Sequence, residues 1–114
     1  MTATSDRATP HSAAVAWIDE RHALVATTSP GHRIAVTEIA RHYAPSSLPT
    51  FLARVASSIG DRERIVILGP GTQRVKLEHE YVSAYHRLDR LIDVEPADVA
   101  GRRDVVARVR QLAA

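Results

Sequence analysis

Cysteine is absent from the 114-residue sequence, which excludes disulfides, thiolate catalysis and cysteine-bearing zinc sites. Long hydrophobic runs are absent too, since stretches such as residues 65–68 are far too short to cross a bilayer. The N-terminal segment MTATSDRATPHS contains no apolar stretch of the kind found in secretory signals. These absences predict a cytoplasmic protein without a membrane segment.

Lysine is nearly absent, because Lys76 is the only one and arginine supplies almost all of the positive charge. The chain has 15 basic and 13 acidic residues, so its formal net charge is only +2. Arginine suits phosphate and carboxylate, since its planar guanidinium donates hydrogen bonds in pairs. A net charge this small permits contact with RNA without requiring it.

The chain length bounds the organisation, because 114 residues are enough for one domain and too few for two. Apolar residues make up 45% and charged residues 25%, which is typical of a globular protein. Residues 1–12 are small, polar and proline-containing, and this composition predicts a disordered tail. We expect residues 13–114 to form a single α/β domain.

The first half of the domain predicts three strands and a helix. Residues 13–18 and 23–28 are apolar runs around a short polar break, as in a β-hairpin. Alternation over residues 33–39 indicates a third strand. Apolar residues then recur at helical spacing up to Gly60, which suits a left-handed helix end. The predicted buried face of this helix is Leu48, Phe51, Leu52, Val55, Ala56 and Ile59.

The second half predicts two more strands, each followed by a helix. Residues 64–68 form a continuous apolar run, typical of a strand covered on both faces. A helix over 72–90, a buried strand over 91–94 and a last helix capped by Asp98 complete the pattern. The core stripe of the 72–90 helix is either Val75, Val82, Tyr85 and Leu88 or Leu77, Tyr81 and Leu88. The order β-β-β-α-β-α-β-α implies an α/β fold, a mixed sheet with helices packed on it.

The turn Gly69-Pro70-Gly71-Thr72 stands between a predicted strand and a predicted helix. Such a turn can bind an anion, because free amides and the helix dipole point outwards. The sequence lacks both the Walker pattern and the G-x-G-x-x-G pattern, and a simple strand-to-helix turn explains the glycines equally well. Both interpretations stay open. The candidate RNA- or phosphate-binding residues here are Gly69, Gly71, Thr72, Gln73, Arg74 and Lys76.

The last predicted helix carries four arginines. Arg108 and Arg110 lie near its C-terminus, where the helix dipole favours cations without any ligand. That explanation does not cover Arg102 and Arg103, which are therefore further RNA-binding candidates.

Three segments, AVAWIDERHALVATT, RIVILGPGTQRVKLEHEY and RLIDVEPAD, occur in this order. They resemble the central domain of archaeal and eukaryotic class 1 release factors and of Pelota. The resemblance covers residues 13–112 and is closest to small, free-standing bacterial versions known as translational machinery proteins. It implies a ribonuclease H-like fold, with three antiparallel strands and then parallel strands alternating with helices.

One departure from that family concerns its catalytic loop. In release factors a Gly-Gly-Gln loop lies between the third strand and the first helix. Here the connection is residues 41–47, RHYAPSS, which contain neither glycine nor glutamine. The only glutamines are Gln73 and Gln111. The resemblance therefore implies a chain that does not hydrolyse peptidyl-tRNA.

A metal-dependent activity needs a set of converging ligands. No two of the six histidines have the i,i+4 spacing of a helical zinc site, so we expect no metal and no cofactor. Asp19 follows the first strand, where ribonuclease H-like nucleases carry a metal-binding carboxylate, but two-metal hydrolysis needs several carboxylates together. We favour Asp19 as a hairpin-turn residue, because aspartate suits such turns.

The resemblance and the arginine-rich composition together favour a non-catalytic, translation-associated binding module. Its expected partner is the ribosome or RNA, as for a stress-related ribosome-associated factor. Two alternatives stay open. One is a small metal- or nucleotide-dependent hydrolase that uses the Gly69–Thr72 turn and Asp19. The other is a homodimeric protein-interaction domain with no role in RNA binding.

Overall fold

The computed structural model describes residues 11–41, 47–98 and 100–114. Its element order is the predicted one, so the α/β fold class is confirmed. The elements are β1 (Ala13–Ile18), β2 (His22–Thr28), β3 (Ala35–Ala40), α1 (Ser47–Ile59), β4 (Arg64–Gly69), α2 (Gln73–Tyr85), a 3-10 turn (Leu88–Arg90), β5 (Leu91–Pro96) and α3 (Arg102–Ala113).

The five strands form one mixed sheet in the order β3-β2-β1-β4-β5. Strands β1, β2 and β3 pair antiparallel, since short connections return the chain in the opposite direction. Strand β4 pairs parallel to β1, and β5 pairs parallel to β4, because a helix carries the chain back before each. The edges of the sheet are therefore β3 and β5.

The helices cover the two faces of the sheet unequally. The buried residues of α1 and α2 pack with Ala14, Ala16 and Ile18 on one face. The buried residues of α3 pack with Val15 and Trp17 on the other. Every residue of β1 is buried as a result, which explains why its sequence is apolar on both faces.

Helix α1 has the predicted buried face. Phe51, Leu52, Val55, Ala56 and Ile59 are all buried, and Leu48 is packed against the same core at its margin. After this helix, Gly60 adopts φ +66°, the left-handed conformation expected of a glycine at a helix end.

Helix α2 is shorter than predicted. It ends at Tyr85 because His86 adopts a left-handed conformation (φ 56°) and donates its amide to the carbonyl of Val82. The prediction that the helix continues to residue 90, with Leu88 in its core stripe, is wrong. Leu88 is 63% exposed, and the buried apolar residues of α2 are Leu77 and Tyr81.

The prediction that strand β5 is buried is wrong, because β5 lies at the edge of the sheet. Among the described strands it pairs with β4 alone, and the register shifts near Ile92, which is 56% exposed. Helix α3 also begins later than predicted. Its N-cap is Gly101, not Asp98, and Asp104 accepts a hydrogen bond from the Gly101 amide (2.8 Å).

His11 and Ser12 belong to the domain and not to the predicted tail, whose residues 1–10 lie outside the described chain. The carbonyl of Ser12 accepts hydrogen bonds from the amides of Glu63 and Arg64, each 3.1 Å long. The Ser12 amide in turn donates to the Glu63 carboxylate, and this bond is the main reason why the pKa of Glu63 is lowered. The amide of His11 donates to the carbonyl of Ala113 in α3 (2.8 Å).

The Tyr81 hydroxyl ties α2 to the end of α1, since it donates to the Gly60 carbonyl (2.7 Å) from a fully buried side chain. We expect Tyr81→Phe to lower the free energy of unfolding by about 0.5–1.5 kcal/mol in urea denaturation. Burial raises the pKa of Tyr81 to about 12, so wild-type stability falls as the pH rises from 10 to about 12. The Phe variant should lose less stability over that interval.

The matched control is Tyr85→Phe, because the Tyr85 ring stacks on Tyr81 but its hydroxyl bonds to no described residue. Equal losses in the two variants at neutral pH would contradict a special role for the Tyr81 hydroxyl.

Candidate nucleic-acid interface

The Gly69–Thr72 turn is packed tightly against the end of β1. A Cβ atom at position 69 would overlap the backbone carbonyl oxygen of Ile18, so only glycine fits there. The Gly69 carbonyl accepts a hydrogen bond from the Ala97 amide (3.1 Å), and the Ala97 carbonyl accepts one from the Trp17 indole (3.1 Å). Gly69 is therefore required for packing, because only a residue without a side chain lets the end of β4 lie this close to the end of β1.

The second half of the turn is exposed and starts α2. Gly71 adopts φ +63°, and a Cβ atom there would meet nothing within 4 Å. Thr72 is the N-cap of α2, but its side chain makes no capping hydrogen bond. Its carbonyl accepts the amides of Val75 (3.1 Å) and Lys76 (3.2 Å). The turn thus has the strand–glycine–helix geometry of an anion site, and nothing beyond that geometry points to a ligand.

The candidate side chains after the turn differ in accessibility. Arg74 is half-buried and donates from Nη1 to the carbonyls of Gly69 (3.2 Å) and Gly71, so it closes the turn. Gln73 is only 6% exposed, and its Oε1 has no partner within the described chain. Lys76 is exposed. A phosphate at the turn would meet Lys76 directly but would compete with two internal hydrogen bonds for Arg74.

Asp19 caps the β1–β2 hairpin. Its Oδ1 accepts hydrogen bonds from the amides of Arg21 (2.7 Å) and His22 (2.8 Å), which agrees with the interpretation as a turn residue. Over residues 11–41, 47–98 and 100–114, no three His, Asp or Glu side chains come together as a metal-ligand group. The described part of the chain therefore offers Asp19 no set of three converging ligands of the kind that two-metal chemistry uses.

The arginines of α3 differ in their neighbours. Arg108 forms a two-pronged ion pair with Glu95 on β5, in which Nη1 to Oε1 is 3.2 Å and a second bond joins Nη2 to Oε2. This hydrogen bonding lowers the pKa of Glu95 and raises the pKa of Arg108, so the pair fastens α3 to the sheet. Arg102 and Arg103 are both exposed.

Arg102 is one of the residues that line a groove. Arg102 and Arg110 form one wall of a groove between α3 and β3, and Arg33 lies on the other side. The turn and α2 belong to the opposite face of the sheet, so the sequence-based candidates do not form one site. The spacing of Arg102 and Arg110 by eight residues was visible in the sequence. The contribution of Arg33 to the groove could not be read from the sequence, because it depends on how β3 lies beside α3.

The fold resembles one part of several solved proteins. Pelota from Archaeoglobus fulgidus matches with a TM-score of 0.67 and 16% identity, over 96% of this chain and 34% of that one. Dom34 from S. cerevisiae, a translation termination-like factor involved in RNA quality control, matches at 0.61 and 12%, over 83% and 31%. The archaeal translation termination factor aRF1 matches at 0.58 and 14%, over 82% and 32%.

These similarities establish the fold of the chain, which spans about a third of the length of each matched protein. No protein-family model and no curated protein sequence matches it. Within the described residues, no helix has the length and apolar character needed to cross a membrane. The class defined by the fold is thus a single domain of the kind found in Pelota, Dom34 and aRF1.

Because Gly69 lies against the backbone of Ile18, a larger residue at position 69 should destabilise the protein. We expect Gly69→Ala to lower the free energy of unfolding by roughly 3 kcal/mol or more, because the new methyl group overlaps backbone and not a movable side chain. Gly71→Ala is the matched control in the same turn. It should cost only about 1–2 kcal/mol, the penalty for a left-handed alanine in open space. Similar shifts in urea midpoint for the two variants would contradict this account.

Proposed function

We propose that this protein is a non-catalytic binding module of the translation apparatus that contacts the ribosome or RNA in the bacterial cytoplasm. One observation carries the proposal. Nearly the whole described chain has the fold of a single domain shared by Pelota, Dom34 and aRF1, while the connection that bears the catalytic loop in release factors holds no glutamine.

The role of the similar proteins supports a partner in translation. Dom34 is a translation termination-like factor that interacts with Hbs1, and aRF1 is a termination factor. The proposal places this chain in the same environment, because it has the fold of one part of these proteins. Its own charge suits that environment, because the exposed cations of the described chain are mostly arginines, which bind phosphate in pairs of hydrogen bonds.

The positions of the two glutamines argue against peptide release. The connection from β3 to α1 has none, and release requires a side chain that reaches an ester outside the protein. Gln73 is buried against the core. Gln111 lies near the end of α3, on the other face of the sheet from α1.

The hydrolase alternative has less support. Asp19 is engaged by two backbone amides of its hairpin, and Arg74 is engaged by two carbonyls of its turn. Both side chains therefore have a structural role in their own turns. The homodimer alternative stays a prediction, for which the uncovered edges β3 and β5 are the available surfaces.

Ribosome binding is the direct test of this function. We expect the purified protein to co-sediment with ribosomes at low salt and to remain bound in part at physiological salt. Arginine–phosphate contacts release counterions, so the affinity should fall linearly on a log–log plot against salt. Failure to co-sediment at any salt would refute the proposal, and binding lost already well below physiological salt would indicate only non-specific attraction.

Peptide release is the second test. The wild-type protein should release no peptide from peptidyl-tRNA on programmed ribosomes above the rate without added factor. Release that depends on Gln73 or Gln111, and is lost on Gln73→Ala or Gln111→Ala, would show that the protein is catalytic after all.

A further inference from the structure

A groove lies between α3 and the edge strand β3. It has a volume of about 560 Å³, within the range of small-ligand and recognition sites. Its lining is His32, Arg33, Ile34, Val36, Arg102, Val106 and Arg110. The groove therefore combines an apolar floor with three arginines and a histidine, and none of its lining residues is acidic.

The cations of the groove are not used to hold the fold together. Within the described chain, no ion pair or side-chain hydrogen bond involves Arg33, Arg102 or Arg110, and all three are exposed. Two other arginines differ, since Arg108 pairs with Glu95 and Arg90 pairs with Asp61 (3.5 Å). Three uncompensated guanidinium groups around one concavity repel each other and favour an anionic occupant.

We propose that this groove binds the phosphate backbone of RNA, an inference that rests on the proposed function and assigns the contact surface for it. Arg102 and Arg110 are eight residues apart on α3, so their Cα atoms are separated by about 12 Å along the helix axis. That distance corresponds to about three phosphates of one strand in a duplex. Arg33 approaches from the opposite wall.

The hydrogen-bonding side chains of the groove favour a nucleic acid over an acidic protein segment. Its polar side chains are those of Arg33, Arg102, Arg110 and His32, and the guanidinium groups only donate. The guanidinium groups offer no acceptor to the backbone N–H groups of a polypeptide, whereas the acceptor oxygens of phosphates can bind to all three of them. The groove contains no aromatic side chain on which a base could stack. The contact is therefore to the backbone and carries little base specificity.

The exposed arginines of the described chain provide a matched test. Arg33 and Arg110 lie on opposite walls of the groove, while Arg21 and Arg54 are also exposed and lie outside it. The variants Arg33→Ala/Arg110→Ala and Arg21→Ala/Arg54→Ala change the net charge by the same amount. Both should unfold at nearly the wild-type temperature, since none of the four side chains makes an ion pair among described residues.

Binding is measured for each protein with ribosomes and with a short RNA duplex of mixed sequence, over a series of salt concentrations. The groove variant should lose about 1.8 units of slope in log Kd against log salt, because each lost phosphate contact removes about 0.9. With a slope smaller by this amount, the change in Kd between about 50 and about 200 mM salt is about 12-fold smaller for the groove variant than for the wild type. The Arg21/Arg54 variant should keep the wild-type slope.

The outcomes separate this inference from the proposed function. If the groove variant binds both RNA and ribosomes with the wild-type slope, the groove is not the contact surface, although the module still binds ribosomes. If the wild type binds the duplex through the groove but does not bind ribosomes, the groove inference holds and the proposed role at the ribosome fails. A polyglutamate peptide that binds the groove as tightly as the duplex would overturn the RNA assignment in favour of an acidic protein partner.

Discussion

The parallel pairing of β1 with β4 is the constraint on which the rest of the structure depends. It places the carboxyl end of β4 beside the end of β1 so closely that Gly69 touches the Ile18 backbone and only a glycine is tolerated. It also surrounds β1 with strands on both sides, so that each of its faces must be covered by helices. The crossover required by parallel strands supplies one of those helices, α1.

The coverage of the sheet explains where a binding surface can arise. Five strands span about 19 Å, and a helix with its side chains is about 10 Å wide, so two helices cover a face and one does not. Helices α1 and α2 fill one face, and α3 alone lies on the other, centred on β1 and β2. The flank of β3 beside α3 is left as a groove, with Ile34 and Val36 packed at the margin of the core.

Charge is distributed to match this arrangement. The arginines near packed elements are engaged: Arg108 with Glu95, Arg74 with the carbonyls of its turn, and Arg64 with the carbonyls of Leu112 and Ala114 (both 3.0 Å). Those around the uncovered flank have no such partners among the described residues. A chain with a formal net charge of only +2 can thereby carry a locally cationic surface.

The sequence alone determined the order of the elements, the buried face of α1 and the glycine turn after β4. These follow from local periodicity and from backbone conformations that only certain residues adopt, so a short window of sequence contains the signal. The end of α2 at Tyr85 was missed, because a left-handed His86 has no reliable sequence signal. The prediction that β5 is buried was wrong, since an apolar run does not reveal whether a strand lies at the edge of a sheet.

For the candidate site, the sequence identified residue types, and the tertiary structure decided their roles. Arg74 and Arg102 looked alike as cations next to helix starts. In the structure, Arg74 donates hydrogen bonds to the carbonyls of Gly69 and Gly71, whereas Arg102 lines an open groove. Arg33 joined that groove from a segment about 70 residues away in the chain. Whether a charged side chain is engaged or available depends on contacts between distant segments, and no local pattern encodes those contacts.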